Sequence, residues 1–206
     1  MWWTYPQKPV RINLRSLGVH PLNRYWLEKK YDGHRAILIV DGGQRKLFTR
    51  QRVSIAVAPE LTAQLGSLKL EEGTVLDGEI WNPLKRGGWT ADGREPSVLT
   101  FWDCMRDGAK DMSSRPLEER RAALVKAVGD GNEGVRVVEQ EAATEARVKE
   151  IYEESSAVRK ENRSRSGFVH GVVLKLMGSP RRDHATRSKE HSDWLKVVFD
   201  DMHGWG

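Results

Sequence analysis

The sequence predicts an α+β fold in which antiparallel β-sheets are flanked by helices, and three features carry that expectation. Short runs rich in Val, Ile, Leu, Phe and Trp recur along the chain, separated by turns containing Gly and Asp. Two longer stretches, near 116–128 and 142–160, carry helical patterning. No regular strand–helix–strand rhythm runs through the chain, as a parallel sheet would demand.

The first 24 residues are rich in Pro and Arg without a period and read as an irregular lead-in, with Trp2 and Trp3 tucked onto the body. Regular structure begins near Tyr25. Ala36–Val40 is β-branched and apolar, Asp41-Gly42-Gly43 is a hairpin turn, and Lys46–Arg50 returns as the partner strand. Pro59 to Leu65 reads as a short helix with Pro in its first turn. Thr74–Trp81 and Val98–Asp103 read as strands bracketing a loop from Pro83 to Pro96. Ser113 or Ser114 caps a helix through Pro116 to Val128, with Leu117, Leu124 and Val128 on one face, and Gly129-Asp130-Gly131 stops it. Val135–Val138 is a short strand, and Ala142 to Lys160 a second helix whose Glu and Lys/Arg pairs mark a solvated face. Phe168–Met177 and Trp194–Phe199 are the last strands, separated by a basic loop from Ser179 to Lys189. With no repeat and no composition break, residues 1–206 read as one domain.

Composition narrows the function classes. The chain is 38% hydrophobic and holds 8 Trp, enough for a packed core and unlike a disordered chain. The longest aliphatic run, Ala36–Val40, falls far short of the roughly 20 residues that cross a bilayer, and the start lacks a signal-peptide layout, so no membrane partner and a cytoplasmic location are expected. The lone Cys104 cannot form an internal disulfide or a Cys-based zinc ribbon. A net charge of +5 is compatible with a polyanion such as nucleic acid, and equally with an ordinary domain; the core needs no second chain, so a monomer is expected.

The chemistry-bearing residues fall in strand-like segments. Glu28-Lys29-Lys30-Tyr31-Asp32-Gly33-His34-Arg35 joins two strands. It reads either as a charged turn or as an amine nucleophile beside groups that hold a phosphate ester. Leu76-Asp77-Gly78-Glu79 places two carboxylates on one strand face, within reach of a ribose hydroxyl or Mg²⁺. Phe101-Trp102-Asp103 offers an aromatic plate for a nucleobase, and Lys175 and Lys196 end strand-like runs where they can meet phosphate oxygens. Each of these also has a plain structural reading as surface turn, core aromatic or solvated strand end.

Taken in order, Lys30–Arg35, Thr49-Arg50, Leu76–Glu79, Phe101–Asp103, Arg115–Arg121, Gly171–Lys175 and Trp194–Lys196 resemble the ATP-dependent DNA ligases. These are a branch of the covalent nucleotidyltransferases, which also include RNA ligases and capping enzymes, and the resemblance runs from Trp26 to Val198. It implies a ligase-type nucleotidyltransferase (ATP-grasp-like) core, ATP and a divalent metal (Mg²⁺ or Mn²⁺) as cofactors, and nicked duplex DNA as partner. Lys30 is then the nucleophile that takes AMP. Glu28 faces the adenine amino group, Arg35 and Glu79 the ribose, and Trp102 or Phe101 stacks on the base. Lys175 and Lys196 hold the α-phosphate, Arg50 grips the 5′-phosphate at the nick, and Asp32 and Glu79 contact the metal.

The chain departs from the family pattern in three places. His170 stands where the family has Glu; as a metal donor an imidazole favours a softer ion, so Mn²⁺ dependence is expected. Val198 replaces a repeated lysine, leaving Lys196 or the basic loop at Arg181 and Arg182 to supply the missing contact to phosphate or nucleic acid. About ten residues follow Lys196 where the family continues into an oligonucleotide-binding (OB) barrel, so an adenylation domain without it is expected, with weak, salt-sensitive DNA binding or a separate clamp protein. Two other readings stay open: an RNA ligase, or one tolerant of RNA strands, and a non-catalytic module that binds nucleotide or nucleic acid.

Overall fold

Gly42 and Gly43 both take left-handed backbone, at φ 61° and 72°, which closes a two-residue turn between Asp41 and Gln44. Glu72 accepts from both glycine N–H groups at 2.7 and 3.1 Å. The turn belongs to a computed structural model that describes residues 4–81, 84–85, 89–90, 97–161 and 169–199.

In chain order the elements are strand β1 (Lys8–Arg11), β2 (Tyr25–Tyr31), β3 (His34–Asp41), β4 (Gln44–Thr49), helix α1 (Pro59–Gly66) and β5 (Val75–Trp81). The two-residue strands β6 (Leu84–Lys85) and β7 (Trp89–Thr90) follow, then β8 (Val98–Asp107), β9 (Lys110–Asp111) and helix α2 (Leu117–Val128). The last are β10 (Val135–Val137), β11 (Gln140–Ala142), helix α3 (Glu145–Glu161), β12 (Val169–Leu176) and β13 (Glu190–Val198).

Among the described residues they build two large sheets, ordered β1-β13-β12-β2-β11 and β10-β8-β5-β3-β4 with β9 added to β8, and a two-stranded sheet of β6 and β7. Among the described strands every pairing is antiparallel except β1 with β13 and β10 with β8. The mixed α+β class with mainly antiparallel sheets is therefore as the sequence predicts.

Each sheet buries one face under helices. Leu38, Leu76, Leu99 and Phe101 of the six-stranded sheet pack with Leu61 and Leu65 of α1 and Leu124 and Val128 of α2. Leu27, Val172, Leu174, Leu195 and Val197 of the five-stranded sheet pack with Val148 and Ile151 of α3. The alternation that sends these residues inward sends Glu28, Lys30, Lys175 and Lys196 to the opposite face, where the two sheets meet across polar groups. No described helix is long and apolar enough to cross a membrane.

Several boundaries differ from the sequence reading. The lead-in holds β1, an edge strand whose pairing partner lies at the far end of the chain and leaves no local signature; Trp2 and Trp3 lie outside the described residues. Helix α2 starts at Leu117, because Asp111 turns the Ser113 N–H to itself and Pro116 occupies the N-cap. Gln140–Ala142 is a strand on β2 where the helix was expected to begin. Strand β13 begins at Glu190, four residues early, because β1 pairs with its polar start. Of the loop from Pro83 to Pro96, the described residues form the β6–β7 pair, and the rest lies outside them.

Candidate active site

Lys30 is the penultimate residue of β2, and the Asp32–Gly33 turn carries the chain straight back as β3. Gly33 is required there: a Cβ would lie 2.7 Å from the carbonyl oxygen of Ile80 on β5. This close approach sets Lys30 beside Glu79. Both line a cavity of about 440 Å³, together with Glu28, Arg35, Arg50, Trp102, Lys175 and Lys196. Eight of the sequence-predicted site residues are thus gathered at one place, from both sheets.

Two β-bulges aim side chains into this region. On β12, Val169 pairs with Tyr31 and Gly171 with Lys30, so His170 is the extra residue. Its Nε2 sits 3.0 Å from Lys30 Nζ, and its Nδ1 is 4.0 Å from Asp32 Oδ1. On β8, Asp103 pairs with Asp77 and Phe101 with Gly78, leaving Trp102 unpaired in the ladder. Trp102 lines the cavity, while Phe101 is fully buried in the core under α1 and α2. Of the two aromatics expected as a base platform, only Trp102 is therefore at the cavity, and Phe101 belongs to the core.

Glu28 and Lys175, both almost wholly buried, meet at 2.8 Å. Gln140 donates to Glu28 at 2.9 Å, and Lys175 donates to the Trp102 carbonyl at 2.9 Å and lies 4.5 Å from the Trp194 ring centroid. Burial pushes the Glu28 carboxyl up and the Lys175 ammonium down, each opposed by the charge of the other. Burial likewise raises Glu79, against the pull of Lys30, Arg35 and the Gly33 N–H. Lys196 is lowered, first by burial and then by Lys30, Lys8 and Arg11, while Glu190 resists.

Arg35 is clamped by Asp77 through two hydrogen bonds (2.9 and 2.5 Å) and donates to the Gln7 carbonyl at 2.6 Å. Its guanidinium carbon is 5.6 Å from the Trp102 ring centroid. Asp77 does not share a ligand-facing role with Glu79, as strand spacing alone suggested: it is fully buried between Arg35 and Arg181. Burial favours its neutral form, but the two guanidiniums hold its carboxyl well below the usual carboxylate range.

The basic loop is also corrected. Arg181 is wholly buried, bonded to Asp77 at 2.6 Å, Asp103 at 2.9 Å and Asp183 at 2.8 Å, so it is a structural tie between loop and sheet and offers nothing to nucleic acid. Arg182 is half-exposed, pairs with Asp193 at 3.1 Å and does not line the cavity. Neither lines the cavity where the lysine missing at Val198 was expected to act.

The three metal donors expected from the sequence do not converge. Among the described residues no group of three His, Cys, Asp or Glu side chains is placed to hold an ion. Glu79 faces Lys30 and the Gly33 N–H, and His170 faces Lys30; Asp32, 71% exposed, is the open carboxylate of the three.

Sequence reasoning missed Lys8, Gln51 and Trp194 as cavity residues and Gln140 as the partner of Glu28. Only Trp194, beside Leu195-Lys196 in a recognisable run, carried a readable signal.

The model of the ATP dependent DNA ligase domain matches residues 16–197. DNA ligase C of Mycobacterium tuberculosis is 34% identical over 118 residues, which cover 49% of this chain and 33% of that protein. The chain thus spans about a third of the length of that relative. Among solved structures, a Lig E DNA ligase described as binding DNA with a minimal scaffold superposes with a TM-score of 0.64 at 19% identity, over 96% of this chain and 69% of that one. A mycobacterial DNA ligase D complexed with ATP and MES gives 0.60 at 20%, over 95% and 60%. These two likenesses concern the fold. With a family model spanning nearly all of the chain and the motif residues gathered around Lys30, this protein belongs to the ATP-dependent DNA ligase domain family.

Proposed function

We propose that the chain is the nucleotidyltransferase part of a ligase that seals nicks in duplex DNA through an AMP carried on Lys30. The observation that carries this reading is Lys30 itself, held 3.0 Å from an imidazole nitrogen on the wall of a cavity of nucleotide size. Seven Lys and Arg residues line that cavity against the carboxylates Glu28 and Glu79. A strongly cationic, half-enclosed site favours a polyphosphate. The relative complexed with ATP has the same fold.

In the first step the neutral Nζ of Lys30 attacks the α-phosphorus of ATP. The N–P bond forms, the P–O bond to the β-phosphate breaks, and pyrophosphate leaves with the electron pair. The proton lost by Nζ passes to Nε2 of His170. In the second step an oxygen of the nick's 5′-phosphate displaces Lys30, which takes a proton back. In the third the 3′-hydroxyl oxygen bonds to that 5′-phosphorus, the P–O bond to AMP breaks so that AMP departs with the electron pair, and the hydroxyl proton passes to solvent. Such transfers rest on positioning and charge stabilisation.

The chain's residues divide the work by place. Trp102, with Arg35 at its side, forms the platform for the base. Glu28, oriented by Gln140 and Lys175, accepts from the adenine amino group, and Glu79 and Arg35 address the ribose. Lys175 and Lys196 meet the α-phosphate, and Arg50, in the turn after β4, meets the nick phosphate. Asp32 is the carboxylate that would hold a divalent ion, and such an ion would supply neutralisation of the phosphate charge.

Intact mass of the denatured protein after incubation with ATP and Mg²⁺ or Mn²⁺ tests the reading. A gain of one AMP, absent in Lys30→Ala and discharged by nicked duplex, supports it. No gain with either metal, or a gain that survives Lys30→Ala, sinks it.

A further inference from the structure

The strand order of the five-stranded sheet puts β2 and β13 on opposite sides of β12. Glu28 and Lys30 therefore line one side of the cavity, and Lys196 the other. The Glu28 side is balanced, because Lys175 neutralises that carboxylate at 2.8 Å. The Lys196 side is richer in cations. Its carboxylate partner is Glu190, 4.0 Å away and half-exposed, while Lys8, Arg11 and Lys30 all act repulsively on Lys196. Cations gathered this closely suit an anion of several charges.

Lys8 is delivered to this place by a built arrangement. Its neighbour Gln7 is wholly buried and tied three ways. The Gln7 N–H donates to Asp183 at 2.9 Å, its carbonyl accepts from Arg35 at 2.6 Å, and its Oε1 accepts from the Arg182 N–H at 2.7 Å. The Lys8 N–H then donates to the Lys189 carbonyl at 2.8 Å, starting the parallel pairing with β13. Residues two apart on a regular strand share a face, yet Val10 packs on the core under α3 while Lys8 lines the cavity. A register shift between Pro9 and Val10 accounts for this, turning Lys8 inward.

We propose that Lys8 binds the β- and γ-phosphates of ATP, sharing with Lys196 the charge of the pyrophosphate that leaves. The proposal rests on the ATP-dependent reading above and extends it to a residue outside every motif that suggested the family. Lys8 and Lys196 come from adjacent strands, so a triphosphate whose α-phosphorus lies at Lys30 runs across β12 toward β13 and β1. The same placement argues against DNA as the partner of Lys8, since the residue is half-buried in the cavity wall.

The test compares α,β-methylene ATP, which cannot transfer AMP, with AMP itself. Their affinities are measured by calorimetry for the parent freed of AMP with pyrophosphate, for Lys8→Ala and for Lys8→Arg, with thermal unfolding as a check on the fold. In Lys8→Ala the triphosphate analogue is expected to bind about tenfold more weakly, the scale of one charge-assisted contact, with AMP affinity unchanged. Lys8→Arg is expected to restore most of the loss. Equal losses for both nucleotides, no loss for either, or a parent that does not prefer the triphosphate would overturn the proposal. The two readings fail separately: a parent that forms no AMP adduct yet shows a Lys8-dependent preference for the triphosphate keeps the phosphate site and loses the ligase chemistry.

Discussion

Lys30 Nζ and His170 Nε2 lie 3.0 Å apart because a one-residue bulge in β12 turns His170 toward the strand that carries Lys30. Gly171 pairs with Lys30 in the ladder, and His170 is the residue inserted between that pair and the Val169–Tyr31 pair. On the function proposed above, that imidazole nitrogen is within reach of the proton that the attacking amine must lose.

Replacing His170 with Ala is therefore expected to slow formation of the AMP adduct by about 10²-fold or more, the usual scale for a positioned proton acceptor, with ATP affinity little changed. Single-turnover rates at saturating ATP measure this. A fall in affinity with the rate intact would make His170 a binding residue instead.

The two aromatics of the Phe101-Trp102 pair should separate cleanly. Phe101→Ala empties a fully buried core position and is expected to cost about 3–5 kcal/mol of stability. Trp102→Ala is expected to leave urea unfolding nearly unchanged but to weaken nucleotide binding by about 1–3 kcal/mol, the value of one stacked base. Reversed results would mean that the bulge at Trp102 does not decide which ring faces the cavity.

Arg181 and Arg182 adjoin in sequence and differ in consequence. Arg181→Ala leaves Asp77, Asp103 and Asp183 short of a shared cation in a buried site, an expected loss of about 3–5 kcal/mol. Arg182→Ala breaks a half-exposed pair with Asp193 and is expected to cost under about 1 kcal/mol. Denaturant unfolding of both variants in one buffer measures the contrast.

Asp77 and Asp103 also shape the acid limb of stability. Burial raises both, but their arginine partners outweigh it and hold them below the ordinary carboxylate value. A group depressed in the folded state contributes stability that is complete above its unfolded pKa and lost as pH falls through the folded one. Stability is therefore expected to decline progressively below about pH 4, where unfolded aspartates titrate. Glu28 and Glu79, raised by burial, act in the opposite sense, gaining stability as pH falls toward that point. Unfolding free energy measured from pH 7 to 2 should fall mainly at the acid end, with a shallower slope in Asp77→Asn. A steep loss already between pH 7 and 5 would contradict this.

Much of the site was readable in the linear chain. Lys30 stands in a dense local run, and Glu28, Lys175 and Lys196 alternate with apolar neighbours that pack into a core, so a local period of two sends them to one face. The α+β class was readable for the same reason, since hydrophobic periodicity is short-range. Other assignments depended on partners far away in sequence. Arg181 reads as a surface base until Asp77 and Asp103, some 104 and 78 residues distant, are seen to enclose it. Lys8 reads as part of an irregular lead-in until β13 pairs with it, and His170 and Trp102 take their directions from bulges that appear only when two strands are laid side by side. Alternation is a property of one strand and is written in its residues. Register, bulges and the pairing of buried charges are properties of two segments brought together by folding, and only the tertiary structure supplies the second.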